Sequence, residues 1–139
     1  MSDVYRFRVG VSSLGSKSGS SLLSSSGGIG SHACLLLNTD LFEYGCPKDN
    51  KGYARLKNVG RIDRFDWNKV GDALKGTTHV SPDRLEQAII NSGKWTGDKY
   101  NVLNHNCHDF VNFCLDSIGC PESMIKKNWF CYRNQKGWT

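Results

Sequence analysis

Two short apolar runs, Ala33–Leu37 and Leu41–Tyr44, are separated only by Asn38-Thr39-Asp40, and no other feature constrains the fold as strongly. A polar link of that length between two apolar runs is a hairpin signature. The first run is the longest apolar stretch of the chain; it suits a buried strand and falls far short of a membrane-spanning helix. Val4 to Val11 alternates in the same strand-like way, with Tyr5, Phe7, Val9 and Val11 on one side and Arg6 and Arg8 on the other. Tyr53–Leu56 and Arg61–Phe65 supply further strand candidates, so a mostly antiparallel sheet is expected.

Two helices complete an α+β pattern. Ser81-Pro82 reads as an N-cap followed by proline at the first helical position. Leu85, Ala88 and Ile89 give that helix its buried stripe, and Gly93 closes it. Asp66–Val70 suits a short helical turn, while Gly93–Lys99 is polar and turn-like. From Cys107 onward, Phe110, Val111, Cys114, Leu115 and Ile118 recur at helical spacing, with Gly119 as the stop.

A chain of 139 residues, 38% hydrophobic and 22% charged, is expected to form one domain over 1–139 with a core of its own. A Ser/Gly-rich segment at 12–31 is too poor in apolar surface to repay ordering and reads as a loop. A near-miss phosphate loop, Gly10 to Ser18, overlaps its start. Ser16 separates the second glycine from Lys17, and more Ser and Gly follow where a helix should begin, so nucleotide binding is rejected. The formal charge of +5 is scattered, apart from a basic-aromatic tail at 120–139 that carries Lys126, Lys127, Arg133 and Lys136 among Trp129, Phe130, Tyr132 and Trp138. Such a mixture can bind nucleic acid, but packing of the aromatics with solvated lysines outside is the plainer reading, and no nucleic acid is expected. The first residues lead straight into the strand pattern without the apolar stretch of a signal peptide, so the expected location is cytoplasmic, with the nucleus as an alternative.

Six cysteines suggest a disulfide set at first, but without a secretory signal and at this length none is expected, and the absence of a C-x-x-C pair argues against a structural zinc site. Cys34 lies in the apolar run and Cys114 on the apolar helix face, as buried thiols would. A zinc site drawn from His105, Cys107 and His108 would have to converge from residues too close in sequence, and no metal or cofactor is expected. Cys107 differs from the others because it opens a helix. Free backbone N–H groups and the positive end of the helix dipole favour a thiolate there. The plain alternative is a small buried residue at a helix start.

A thiol nucleophile needs an imidazole partner. His108 adjoins Cys107, but neighbouring helical side chains diverge by about 100°. His105 precedes the helix, and His79 stands just before the Ser81 cap. His32 enters the apolar strand run, where a sheet could present it to a helix, with Gly27, Gly28 and Gly30 leaving room for close approach. The residues favour His32 mildly, with His105 next and a structural histidine as the alternative.

Gly30-Ser31-His32-Ala33-Cys34-Leu35-Leu36-Leu37, followed by Leu41-Phe42-Glu43-Tyr44-Gly45, resembles the His-bearing strand pair of PPPDE-type thiol hydrolases. Tyr100-Asn101-Val102-Leu103-Asn104-His105-Asn106-Cys107, with Phe110 after it, resembles the nucleophile motif of the same family. The resemblance spans roughly Val4 to Gly119. It implies a permuted papain-like (NlpC-type) fold, in which a mostly antiparallel sheet packs against the nucleophile-bearing helix and His precedes Cys in the chain. It further implies a cysteine peptidase or isopeptidase of the desumoylating kind, with Cys107 as nucleophile and His32 as general base and acid. Ser31 stands where the family tends to carry an aromatic residue. The run His108-Asp109-Phe110-Val111 also resembles lecithin:retinol acyltransferase-like proteins, which share the permuted dyad but handle lipid acyl groups.

The expected chemistry is attack of the Cys107 thiolate on a carbonyl, protonation of the leaving group by His32, and hydrolysis of the acyl-enzyme. Backbone N–H groups at the start of the Cys107 helix are the expected oxyanion donors, with His105, Asn106 and His108 as supporting candidates. The expected partner is a protein substrate, such as a conjugate of a SUMO-type or other ubiquitin-like modifier. Alternatives are a lipid acyltransferase or thioesterase, and a non-catalytic binding module.

Overall fold

The structure, a computed structural model, describes residues 3–13, 31–45, 52–59, 74–100 and 105–120; of residues 11–13, 31 and 32 it describes the backbone. Five strands, β1 (Tyr5–Ser13), β2 (Ser31–Leu37), β3 (Asp40–Tyr44), β4 (Tyr53–Leu56) and β5 (Lys75–Thr78), form one sheet in the order β4-β3-β2-β1-β5. Each neighbouring pair is antiparallel. Two helices follow, α1 (Pro82–Ser92) and α2 (Cys107–Ser117), with a single 3-10 turn at Gly97–Lys99 between them. The fold is α+β, and no described helix is long and apolar enough to cross a membrane.

The central hairpin forms where the apolar runs place it. Leu37 pairs with Asp40, and Asn38-Thr39 make the reversal, with Asn38 in the left-handed region at φ 58°. Asparagine tolerates that conformation because its short amide can bond locally. The strands run longer than the apolar pattern: pairing of β1 with β2 continues through Ser12–His32 and Ser13–Ser31. Those three serines therefore belong to strands and not to the loop expected at 12–31, since backbone pairing alone carries a ladder past the last apolar residue.

Alternation then sorts the side chains. Phe7, Val9, Ala33, Leu35, Leu37, Phe42 and Tyr44 share one face and one core with Leu85 and Ile89 of α1 and with Phe110, Val111, Cys114 and Leu115 of α2. Each large apolar side chain fully buried there contributes about 1.5–3 kcal/mol. Cys34, Leu36 and Leu41 are buried on the opposite face, with Leu56 packed against them.

β5 has no apolar alternation, and the sequence reading missed it. Its register with β1, from Tyr5–Thr78 to Arg8–Lys75, supplies its backbone partners, and Gly76 lets the strand lie 3.1 Å, at its would-be Cβ, from the Phe7 ring. The strand expected at Arg61–Phe65 and the turn at Asp66–Val70 lie outside the described residues, as do 14–30 and 121–139.

Both helices begin and end as their sequence signals predict. The Ser81 hydroxyl accepts from the Arg84 N–H, Pro82 follows it, and Gly93 ends α1 at φ 67°. A polar knot docks α1 on the sheet. The Arg55 guanidinium reaches Asp40 at 2.7 Å, Glu86 at 2.8 Å and Asp83 at 2.9 Å. Burial opposes its charge, but bonds to the three carboxylates outweigh that, and the Arg55 pKa is raised further.

Candidate active site

Cys107 is the first residue of α2 and is 3% exposed. Its helix start is a complete capping box. The Asn106 side-chain oxygen accepts from the N–H groups of His108 at 2.9 Å and Asp109 at 3.2 Å, and the Asp109 carboxylate accepts from the Asn106 N–H at 3.0 Å. The sequence shows this arrangement in Asn106-x-x-Asp109, and Asn106, a supporting candidate for the oxyanion, has its side-chain oxygen engaged as the cap of α2.

The box bears on the expected oxyanion donors. The backbone N–H groups of residues 108 and 109 are already engaged by Asn106, so an oxyanion could use them only by displacing that side chain. The Asp109 carboxylate also brings negative charge to the turn where a thiolate would form, opposing the helix dipole locally.

An aromatic cluster clamps the chain immediately before the helix. The His105 ring stacks on Trp95, with centroids 4.4 Å apart and planes within 5°, and meets the edge of Tyr44 at 5.7 Å. Nε2 of His105 lies 2.6 Å from the Lys94 carbonyl, which can only accept, so this nitrogen donates. His105 thereby fixes the chain just before the Asn106 cap. Trp95 also packs edge-on against Tyr44 at 5.1 Å and Phe110 at 5.3 Å. The buried Tyr44 hydroxyl donates to the Thr96 carbonyl at 2.7 Å. On the far side, Gly52 at φ 78° lets the chain approach within reach of the Trp95 carbonyl, where a Cβ would come to 2.5 Å. Sequence reasoning treated Trp95 as part of a polar turn. Its size and its place eleven residues before Asn106 gave no signal of the contact.

The other end of α2 is fixed by a different device. The buried Thr78 hydroxyl donates to the Ile118 carbonyl at 2.6 Å, and Gly119 reverses the chain at φ 84°. The helix therefore runs from the Tyr44 end of the sheet to the Thr78 end. Tyr44 lies one step beyond the Cys34–Glu43 pair, beside Ala33, whereas Thr78 lies opposite Tyr5. The backbone of His32, paired with Ser12, thus belongs to the same end of the sheet as the head of α2.

His108 is buried at 4% exposure. His79 is far from this end: its Nδ1 lies 3.1 Å from the Asp3 carbonyl, beside the Thr78 end of the sheet. Four described cysteines, Cys34, Cys107, Cys114 and Cys120, are thiols outside any disulfide. Burial pushes Cys114 well above the ordinary thiol value and raises Cys120 as well. Cys34 is buried on the sheet face away from the helices. Of these four, Cys107 alone stands at a helix start.

No protein-family model matches the chain, and no curated protein matches it.

Proposed function

We propose that this chain is a cysteine hydrolase of permuted papain-like architecture, acting as a peptidase or isopeptidase with Cys107 as nucleophile and His32 as general base and acid. One observation supports the reading: α2 is clamped at its head to the end of the sheet where β2 begins, so Cys107 and the backbone of His32 share one end of the fold. Because position 32 alternates with Cys34 and Leu36 on the face away from α2, the dyad requires the imidazole to reach Cys107 around the end of β2. The order of the two motifs and their likeness to PPPDE-type thiol hydrolases support it. The proposed substrate class, a protein conjugated to a SUMO-type or other ubiquitin-like modifier, rests on that likeness alone.

In this mechanism His32 takes the Cys107 proton, and the sulfur lone pair attacks the scissile carbonyl carbon to form a tetrahedral oxyanion. Collapse breaks the C–N bond, and the imidazolium returns its proton to the leaving amine. Water then loses a proton to His32 and attacks the thioester, releasing the acid and regenerating the thiol. The cap holds the nucleophile's helix in place while the Cys107 side chain exchanges its proton.

Electrophilic probes built on a ubiquitin-like modifier and on a fatty acyl chain test the reading. Labelling of Cys107 by the modifier probe is expected, with loss of labelling in Cys107→Ala and in His32→Ala. Labelling by the acyl probe alone would move the protein to the lipid acyltransferase class, and a folded chain that takes neither probe would be a binding module. A crystal structure in which the His32 imidazole follows Cys34 to the opposite face of the sheet would remove the dyad.

A further inference from the structure

The ring of His105 carries a group that the hydrolase reading does not use. Its Nε2 lies 2.6 Å from the Lys94 carbonyl, an acceptor only, which fixes the ring proton on that nitrogen. In the neutral ring Nδ1 is then a bare acceptor, and no N–H is left to donate to an oxyanion. Among the described residues His105 makes that one hydrogen bond, so none of them donates to Nδ1.

Position decides what this acceptor can meet. Asn106, the residue between His105 and Cys107, is extended at φ −123° and ψ −170°. Residues 105 and 107 therefore project from the same side of the chain, roughly 6–7 Å apart at the rise of an extended strand. Since the one bond of His105 goes to Lys94, the ring and the sulfur are not bonded to each other, and a substrate group can stand between them. The ring is also prevented from turning away. Stacking on Trp95 at 4.4 Å and the edge of Tyr44 at 5.7 Å hold its plane, and the Lys94 carbonyl holds its rotation. An acceptor fixed beside a nucleophile selects substrates that present a donor there.

Resting on the reading of Cys107 as nucleophile, we propose that His105 is a substrate-binding residue whose Nδ1 accepts an N–H of the substrate's acyl segment. It thereby selects peptidyl over fatty acyl groups. A peptidyl segment carries such an N–H on the carbon next to the scissile carbonyl, whereas a hydrocarbon chain carries none.

Steady-state turnover by the full chain of a peptidyl aminocoumarin amide and of its twin, with oxygen in place of that acyl-side N–H, tests the proposal. The twins share their leaving group and nearly their shape. Wild type is expected to favour the N–H substrate by about three- to tenfold in kcat/KM, the worth of one neutral hydrogen bond. His105→Phe keeps a ring to stack on Trp95 and removes the acceptor, so it should process the twins equally. Loss of the Lys94 bond in that variant slows both alike, and the ratio reads the acceptor alone. Equal kcat/KM for the twins in wild type, or an unchanged ratio in His105→Phe, would overturn the inference and leave the hydrolase reading standing. Turnover of neither twin by wild type would overturn both. Nitrogen NMR of the wild-type imidazole supplies a measurement that needs no variant: the proton is expected on Nε2, and a proton on Nδ1 of the neutral ring would overturn the inference alone.

Discussion

The two ends of α2 are held by different physics. At the head, two side chains satisfy three backbone N–H groups, and the rings of Trp95 and Tyr44 pin His105, the residue before the cap. At the tail, the Thr78 hydroxyl donates to the Ile118 carbonyl, the N–H groups of Gly119 and Cys120 bond back to Asp116 and Leu115, and Ile118 and Cys120 pack in the core. The head is thus fixed by side chains and ring stacking, the tail by backbone bonds and core packing. Side chains locked around a helix start hold its first residue accurately, as a site whose geometry matters requires. The two cysteines in α2 mark the contrast: Cys107 belongs to the constrained head, while Cys114 is a core thiol whose proton is held by burial.

Replacing each cysteine gives the largest test of this difference. Cys107→Ala is expected to lower turnover by about 10³-fold or more, as loss of a nucleophile does, with the thermal melt little changed. Cys114→Ala should retain turnover and lose stability. Equal turnover in wild type and Cys107→Ala would erase the distinction. The clamp comes next. Trp95→Ala removes a buried ring that stacks on His105, and urea unfolding should show a loss of about 3–5 kcal/mol. A loss below about 1 kcal/mol would mean that the head is held by the cap alone.

Asn106→Ala leaves the N–H groups of His108 and Asp109 without their acceptor and is expected to cost about 1–2 kcal/mol, read in the same unfolding experiment. At the tail, Thr78→Val deletes the bond to Ile118 and should cost about 1 kcal/mol, which an unchanged denaturation midpoint would contradict. The smallest effect is a pH dependence. Cys114 has a raised folded pKa, so once pH exceeds the unfolded thiol's value of about 8.5 the unfolded chain holds fewer protons than the folded one. Stability contributed by the buried thiol is present below that pH and is lost as pH rises towards the folded value. Cys114→Ala should flatten the alkaline slope of unfolding free energy, and an identical slope would show that another group is responsible.

Much of the framework was legible because it rests on local physics. Ser81-Pro82 and Gly93 fix the ends of α1, and the spacing from Phe110 to Ile118 fixes the buried face of α2. The alternation in β1 correctly separated Tyr5, Phe7 and Val9 from the two arginines. Legibility failed where a partner supplies the reason for the structure. Lys75–Thr78 has no strand pattern of its own and exists as β5 by pairing with β1. Trp95 looked like a turn residue because its ring contacts come from β3 and α2, distant in the chain.

By itself, then, the order of residues determined the helix boundaries, the central hairpin and the placement of Cys107 at a helix start, since caps, periodicity and turn chemistry act over a few residues. Which thiol stands at a clamped helix head, which end of the sheet that head meets, and that Arg8 faces Lys75 were decided only by tertiary structure. Those relations join segments tens of residues apart, and strand register and ring stacking, which set them, have no trace in local sequence.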